Sequence, residues 1–241
     1  MKTSIKIVFA MIILSVAISS CKKSKKTTPV GPLGPNFPYA LNTIISPAIL
    51  DTLEAHGLAV HQGLTPATVN GIYLLSPDSC TFDNSGSNQA GDIFDEELFQ
   101  FSNQDNGAFT ISLAYNQGSG EEVGVDNKAT FISGTGKQFT IFAQAKDTTD
   151  EIPSVELRVE TGTLTTGGIT NLQEGLYLVS KGSDPDNDLI PVGSTRIFEQ
   201  EGGFSPTQTT FAVALGKIQS LNQNHLRIGS SSAAKHPITN H

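Results

Sequence analysis

The chain has 241 residues, with 15 Lys and Arg against 23 Asp and Glu, a formal charge of −8. Six of the bases (Lys2, Lys6, Lys22, Lys23, Lys25 and Lys26) fall in the first 26 positions, which leaves nine bases against 23 acids beyond them, a net −14. A body that acidic excludes nucleic acid as a partner, because phosphates need a basic surface. A hydrophobic content of 37% with 13 Phe excludes a wholly disordered chain and is enough for a real core.

Residues 1–20 read as a secretory signal. Lys2 and Lys6 give a positive start, and Ile7–Ile18 is apolar except for Ser15. A dozen apolar residues is short of the roughly 20 that span a bilayer as a helix. The run Ile18-Ser19-Ser20-Cys21 resembles a bacterial lipobox. That resemblance implies acylation of Cys21 and attachment to the membrane through lipid, with each buried methylene contributing about 0.8 kcal/mol. Lys22, Lys23, Lys25 and Lys26 then stand beside anionic head groups. Surface-exported lipoproteins of Bacteroidota-type bacteria tend to carry acids after this Cys. The lysines here favour the periplasmic side of the outer membrane over the cell surface. With Cys21 acylated, Cys80 has no partner for an internal disulfide.

Residues 21–45 read as anchor and tether. Four Pro and two Gly between Thr27 and Pro38 preclude a helix or an internal strand and predict a semi-extended spacer. A helix follows over Ser46–Gly57: Ser46 caps it, Pro47 suits the first position, and Gly57 suits the left-handed C-terminal position. Ile49, Leu50 and Leu53 share one face of it, so it packs on the body.

Residues 46–215 are predicted as a single β domain. Strands are expected at Gly71–Ser76, Leu98–Ser102, Phe109–Tyr115, Ala129–Ser133, Phe139–Ala145, Val155–Thr161, Gly175–Ser180, Thr195–Glu199 and Phe211–Leu215. Between them lie Gly-rich turns, and Gly134-Thr135-Gly136-Lys137 marks the clearest hairpin. Val155, Leu157 and Val159 alternate with Glu156, Arg158 and Glu160, the pattern of a strand with one face in water. No long helix interrupts the strands to supply parallel crossovers. The prediction is therefore an all-β antiparallel meander that closes as a barrel, with a β-sandwich as the alternative. Residues 216–241 read as a fraying tail.

The hexad Gly71-Ile72-Tyr73-Leu74-Leu75-Ser76 returns as Gly175-Leu176-Tyr177-Leu178-Val179-Ser180, either a duplicated half-sheet or two strands with the same turn chemistry. Gly71-Ile72-Tyr73 at the first strand, with Arg196 on a late one, resembles the lipocalin arrangement. There a Gly-x-Trp packs against an Arg from the closing region; Tyr73 stands here in place of the Trp. The resemblance implies a lipocalin-like barrel, Tyr73 and Arg196 as closure or ligand residues, and an interior for a small apolar ligand. The chain as a whole resembles all-β envelope lipoproteins of Bacteroidota-type bacteria.

Catalytic signatures are missing: there is no Gly-x-Ser-x-Gly, no His-Glu-x-x-His and no cofactor fingerprint. Asp184, Asp186 and Asp188 alternate as calcium ligands do, although Leu189 and Thr195 stand where an EF-hand needs Gly and Glu. Asp92, Asp95, Glu96 and Glu97 form a second acidic run. Asp51-Thr52-Leu53 and Asp147-Thr148-Thr149 resemble a Bacteroidota-type O-glycosylation sequon, with Thr52 and Thr148 as acceptors. These features point to a lipid-anchored envelope module that binds a small apolar ligand, a glycan or a protein partner. The alternative is a carboxylate hydrolase acting on envelope or dietary polysaccharide.

Overall fold

A computed structural model describes residues 30–117, 121–124, 130–149, 151–211 and 225–228. The expected signal, Cys21 and the strand span 212–215 lie outside the described residues.

After a 3₁₀ turn at Tyr39–Thr43, the one α-helix among the described residues, α1, spans Pro47–Ala55. Ser46 caps it by accepting from the Ile49 N–H at 3.4 Å, and the chain turns out of it at Gly57, whose φ is +104°. The strands are β1 (Leu64–Thr65), β2 (Gly71–Leu75), β3 (Asp78–Asp83), β4 (Ile93–Phe94), β5 (Glu97–Asp105), β6 (Thr110–Gln117), β7 (Glu121–Gly124), β8 (Thr130–Thr135), β9 (Gln138–Thr149), β10 (Ile152–Thr165), β11 (Gly168–Lys181), β12 (Thr195–Gln200) and β13 (Phe204–Gln208).

The strands form an antiparallel meander that closes on itself. Their order is β10-β9-β8-β6-β5-β2-β13-β11, and β11 pairs with β10 to complete the ring. β2 and β3 run in line, as do β4 with β5 and β12 with β13; β3 pairs with β12 and β4 where β2 pairs with β13 and β5. With each in-line pair taken as one, and β1 and β7 set aside as lying off the path, eight strand lines follow one another round the ring in sequence order. This is the predicted all-β antiparallel meander. The exception to antiparallel pairing is short: β1 runs parallel to β8, with Leu64 opposite Gly134. The predicted hairpin is β8–β9, turning at Gly136 with φ +64°.

Two expectations about the chain's ends change. The Pro/Gly run does not stay clear of the body: Phe37, Leu41 and Ile45 are buried with Leu50, Leu53 and Leu58 of the helix segment against Phe142, Leu157 and Val159. These large apolar side chains recur every four residues, and their burial offsets part of the backbone freedom that the stretch loses. In the expected fraying tail, His225 and Leu226 are buried in the ring.

The helix segment also overturns the reading of β10 as half-wet. Leu157 and Val159 lie beneath it on the outside of the ring, while Glu156, Arg158 and Glu160 are buried on the inner side. The close approach depends on Gly175 in β11, where a Cβ would stand 2.7 Å from Leu58 Cδ2.

The interior is layered. An apolar cluster of Tyr73, Leu75, Phe99, Phe101, Ile111, Leu113, Phe139, Ile141 and Leu172 fills one end. Another, with Cys80, Phe94, Leu176, Leu178, Ile190, Phe198 and Leu226, fills the other. Along β11 the inward sequence is Leu172, Glu174, Leu176, and along β2–β3 it is Leu75, Asp78, Cys80. Each carries an acid between the two apolar clusters.

Candidate functional site

The acids meet in one charged layer. Arg158 of β10 donates from Nη2 to Glu97 Oε1 of β5 at 2.5 Å, and the same nitrogen forms an ion pair with Glu174 Oε1 of β11. Its Nη1 lies 3.5 Å from Glu156 Oε1 and its Nε 3.8 Å from Glu160 Oε1. The guanidinium sits 3.6 Å from the Tyr115 ring centroid, and Tyr115 Oη donates to Glu156 at 3.1 Å. His225 enters from the C-terminal segment. Its Nε2 is 2.6 Å from Asp78 Oδ2 of β3, and its Nδ1 is 3.2 Å from Glu174 Oε2 and 3.5 Å from Glu97 Oε2. Its ring stacks on Phe198 at 3.9 Å and meets Phe94 edge-on at 5.3 Å. All five carboxylates and both cations are buried.

Burial sets the protonation. Burial raises Glu97 well above the carboxylate range despite Arg158, while Glu174 on the same guanidinium is brought down to about 2, because Arg158 and then His225 outweigh its burial. Of two acids sharing one Arg, Glu97 is the one that keeps a proton. Burial pushes Glu160 up to about 8 and also raises Asp78. Burial alone would lower His225, but Asp78, Glu174 and Glu97 hold it at about 10, so it is an imidazolium at neutral pH.

Arg196 of β12 clamps the segment that carries His225. Its Nε donates to Asp83 Oδ2 at 3.0 Å and its Nη2 to Ser87 Oγ at 2.5 Å and to the Arg227 carbonyl at 3.0 Å; Nη1 donates to the His225 carbonyl. Backbone bonds from Ile190 N to Leu226 O and from Ile228 N to Asp188 O, both 2.9 Å, fix the rest.

Arg196 is thus an interior residue, and it lies opposite Asp83, whereas Tyr73 lies opposite Thr207. The two sit at opposite ends of the same paired strand lines. Tyr73 Oη donates to the Val69 carbonyl at 3.2 Å and its ring leans on Phe101. In the Asp184 loop, the Asp184 carboxylate takes Lys181 Nζ at 2.6 Å, Asp188 N at 2.8 Å and Leu189 N at 3.2 Å, so its oxygens close their own turn, and Asp186 and Asp188 are exposed. Thr52 is half-buried in α1 and donates to the Ala48 carbonyl at 2.8 Å. Thr148 is exposed and lines an open groove of about 410 Å³ beside Lys146 and Lys181. His56 stacks on Phe82 with ring centroids 3.8 Å apart, while the backbone N–H of His61 donates to Thr140 Oγ1. Burial, with Asp83 next, raises the Cys80 thiol to about 12, so it is no nucleophile. The echoed hexads are not equivalent: Tyr73 points into the ring and Tyr177 packs on its outside.

Asp78, Glu174 and His225 were not singled out from sequence, Glu97 appeared only in an acidic run, and Glu156, Arg158 and Glu160 were read as wet. A signal existed for two of them. Glu97 shares its parity with Phe99 and Phe101, and Glu174 shares its parity with Leu172 and Leu176, so each acid sits on an apolar row. Comparison with known protein families, with curated proteins and with solved structures finds no match to this chain.

Proposed function

We propose that this protein is a lipid-anchored protein of the bacterial cell envelope, facing the periplasm, that acts as a non-catalytic binding or structural module. One observation carries the non-catalytic half: every carboxylate of the charged layer is buried and lies against another charged or polar interior group. The interior that a lipocalin-like carrier would leave hollow holds the buried rings of Phe99, Phe101 and Phe139. A glycan or protein partner met on the outer surface therefore fits better than a small apolar ligand held within. The anchor rests on the Ile18-Ser19-Ser20-Cys21 run and the lysines after it.

The test is expression of the full chain and of Cys21→Ser in a bacterium that processes lipoproteins. The unaltered chain is expected in the detergent phase with an acyl mass beginning at Cys21, and the variant in the aqueous phase. A mature chain without acyl mass overturns the anchor. Release of reducing ends from envelope or dietary polysaccharide, abolished by Glu97→Gln, overturns the non-catalytic reading.

A further inference from the structure

We propose that Asp78, Glu97 and His225 form a binding site for one divalent transition-metal ion inside the ring. One oxygen of each carboxylate and one imidazole nitrogen lie within 4.8 Å of one another, close enough to share a single ion, and all three residues are buried. Two carboxylates with one imidazole are a donor set for zinc or manganese, at ligand distances of about 2.0–2.2 Å.

The unfilled bonding capacity points the same way. Asp78 Oδ1 and Glu97 Oε2 are buried without a hydrogen-bond partner. Buried polar atoms are ordinarily bonded, and a cation among them removes that cost. Arg158 holds Glu97 through Oε1, which leaves Oε2 without a hydrogen bond.

The surroundings are those of a supported metal site. Metal-bound histidines are usually oriented by a second contact from outside the ligand set. Here Glu174 stands 3.2 Å from His225 Nδ1, and Phe198 stacks on the ring. The layer gathers five buried acid side chains around Arg158 and His225, so protons held on some of the acids, or a bound cation, complete its charge balance. When the ion binds, its two charges replace the imidazolium proton and any proton on the ligating acids, and these leave to solvent.

The three ligands come from β3, β5 and the C-terminal segment. The ion would therefore join that segment to the ring wall.

The experiment uses the full chain in detergent micelles, stripped with chelator and titrated with Zn²⁺. One zinc per chain is expected to survive gel filtration. Asp78→Asn and His225→Gln are expected to weaken binding at least tenfold, whereas Glu160→Gln, in the same layer but outside the ligand set, keeps it. A second readout needs no variant: Mn²⁺ added to the unaltered chain should broaden the ring resonances of Phe94 and Phe198 first. No retained zinc, undiminished binding in folded Asp78→Asn and His225→Gln, or Mn²⁺ broadening centred on the Asp184 loop would each overturn the site.

Discussion

Arg158 and Glu97 face each other across the interior of the ring, guanidinium nitrogen to carboxylate oxygen at 2.5 Å, from strands that are not neighbours. Between β10 and β5 the order runs through β9, β8 and β6, so this pair ties opposite walls together. Removing the base leaves Glu97 and Glu174 buried with His225 alone to balance them among the described residues. Arg158→Met should destabilise the protein by about 3–5 kcal/mol, the usual result of breaking a buried ion pair from one side. Arg158→Lys should recover only part of that, because an ammonium cannot reach both acids with a planar fork. Urea unfolding of the two variants checks both statements.

Glu160 has a different consequence. Burial raises its pKa to about 8, with Arg158 opposing and Glu174 and Glu156 adding to the rise. The folded state thus prefers the protonated acid. Its favourable contribution is complete below the unfolded value near 4.5 and is lost as pH rises through about 8. Glu160→Gln, a neutral isostere, should flatten this loss and make the variant more stable than the parent at pH 9 by a few kcal/mol, at about 1.4 kcal/mol per pKa unit. Thermal unfolding of both proteins at pH 5, 7 and 9 gives the comparison. A parent no less stable at pH 9 than at pH 5 refutes it.

How much of this was readable beforehand follows from what alternation encodes. Period two separates the two faces of a strand but does not say which face is inside. For Phe99, Phe101, Ile111 and Leu113, inside and apolar coincide, and the strands and their meander were legible. β10 inverts the rule: its apolar residues face outward because Leu50, Leu53 and Leu58 cover them, and its charged residues face inward because Glu97, Glu174 and Tyr115 receive them. Both facts depend on residues distant in sequence. β13 was missed because Gly202 and Gly203 looked like the end of a strand, whereas the chain resumes the same line after them. His225 was hidden for the same reason as β10's inner face, since the weak pattern around it says nothing of the carboxylates that hold it.

Arg196→Met should free the C-terminal segment without opening the ring. The guanidinium binds two carbonyls of that segment, and its loss leaves the segment held by the His225–Asp78 contact and the backbone bonds at Ile190 and Ile228. Hydrogen exchange at the amides of Ile190 and Ile228 should speed up ten- to hundredfold, while amides of the β9–β10 hairpin keep their protection. Equal loss across the ring would show instead that Arg196 supports the whole fold.

The cover over β10 and β11 is tested from both sides of the contact. Leu53 is fully buried on the inner face of α1, and Leu53→Ala should cost about 2–5 kcal/mol. Gly175→Ala places a methyl 2.7 Å from Leu58 Cδ2 and should be destabilising as well, by overpacking at about 1–3 kcal/mol. Combined, the two should fall short of additivity, because the smaller side chain at 53 gives Leu58 room to shift. Equilibrium denaturation of the four proteins in the cycle measures the shortfall.

Cys80 should stay unmodified by a thiol reagent at pH 8 in the folded protein and react fully in urea, since both its burial and its raised pKa keep it a thiol. Rapid labelling of the native chain would contradict its place among Phe94, Leu176 and Phe198.

The docking of residues 31–45 against the ring sets a limit on reach. Gly31 already bridges to Gly34, and Phe37 is seated in the packed cover. With acylation at Cys21 as proposed, only residues 22–30 separate the lipid from the folded body, a leash of about 30 Å at full extension. A body anchored in that way would sample a thin shell above the bilayer, and any partner would have to lie on that membrane or come down to it.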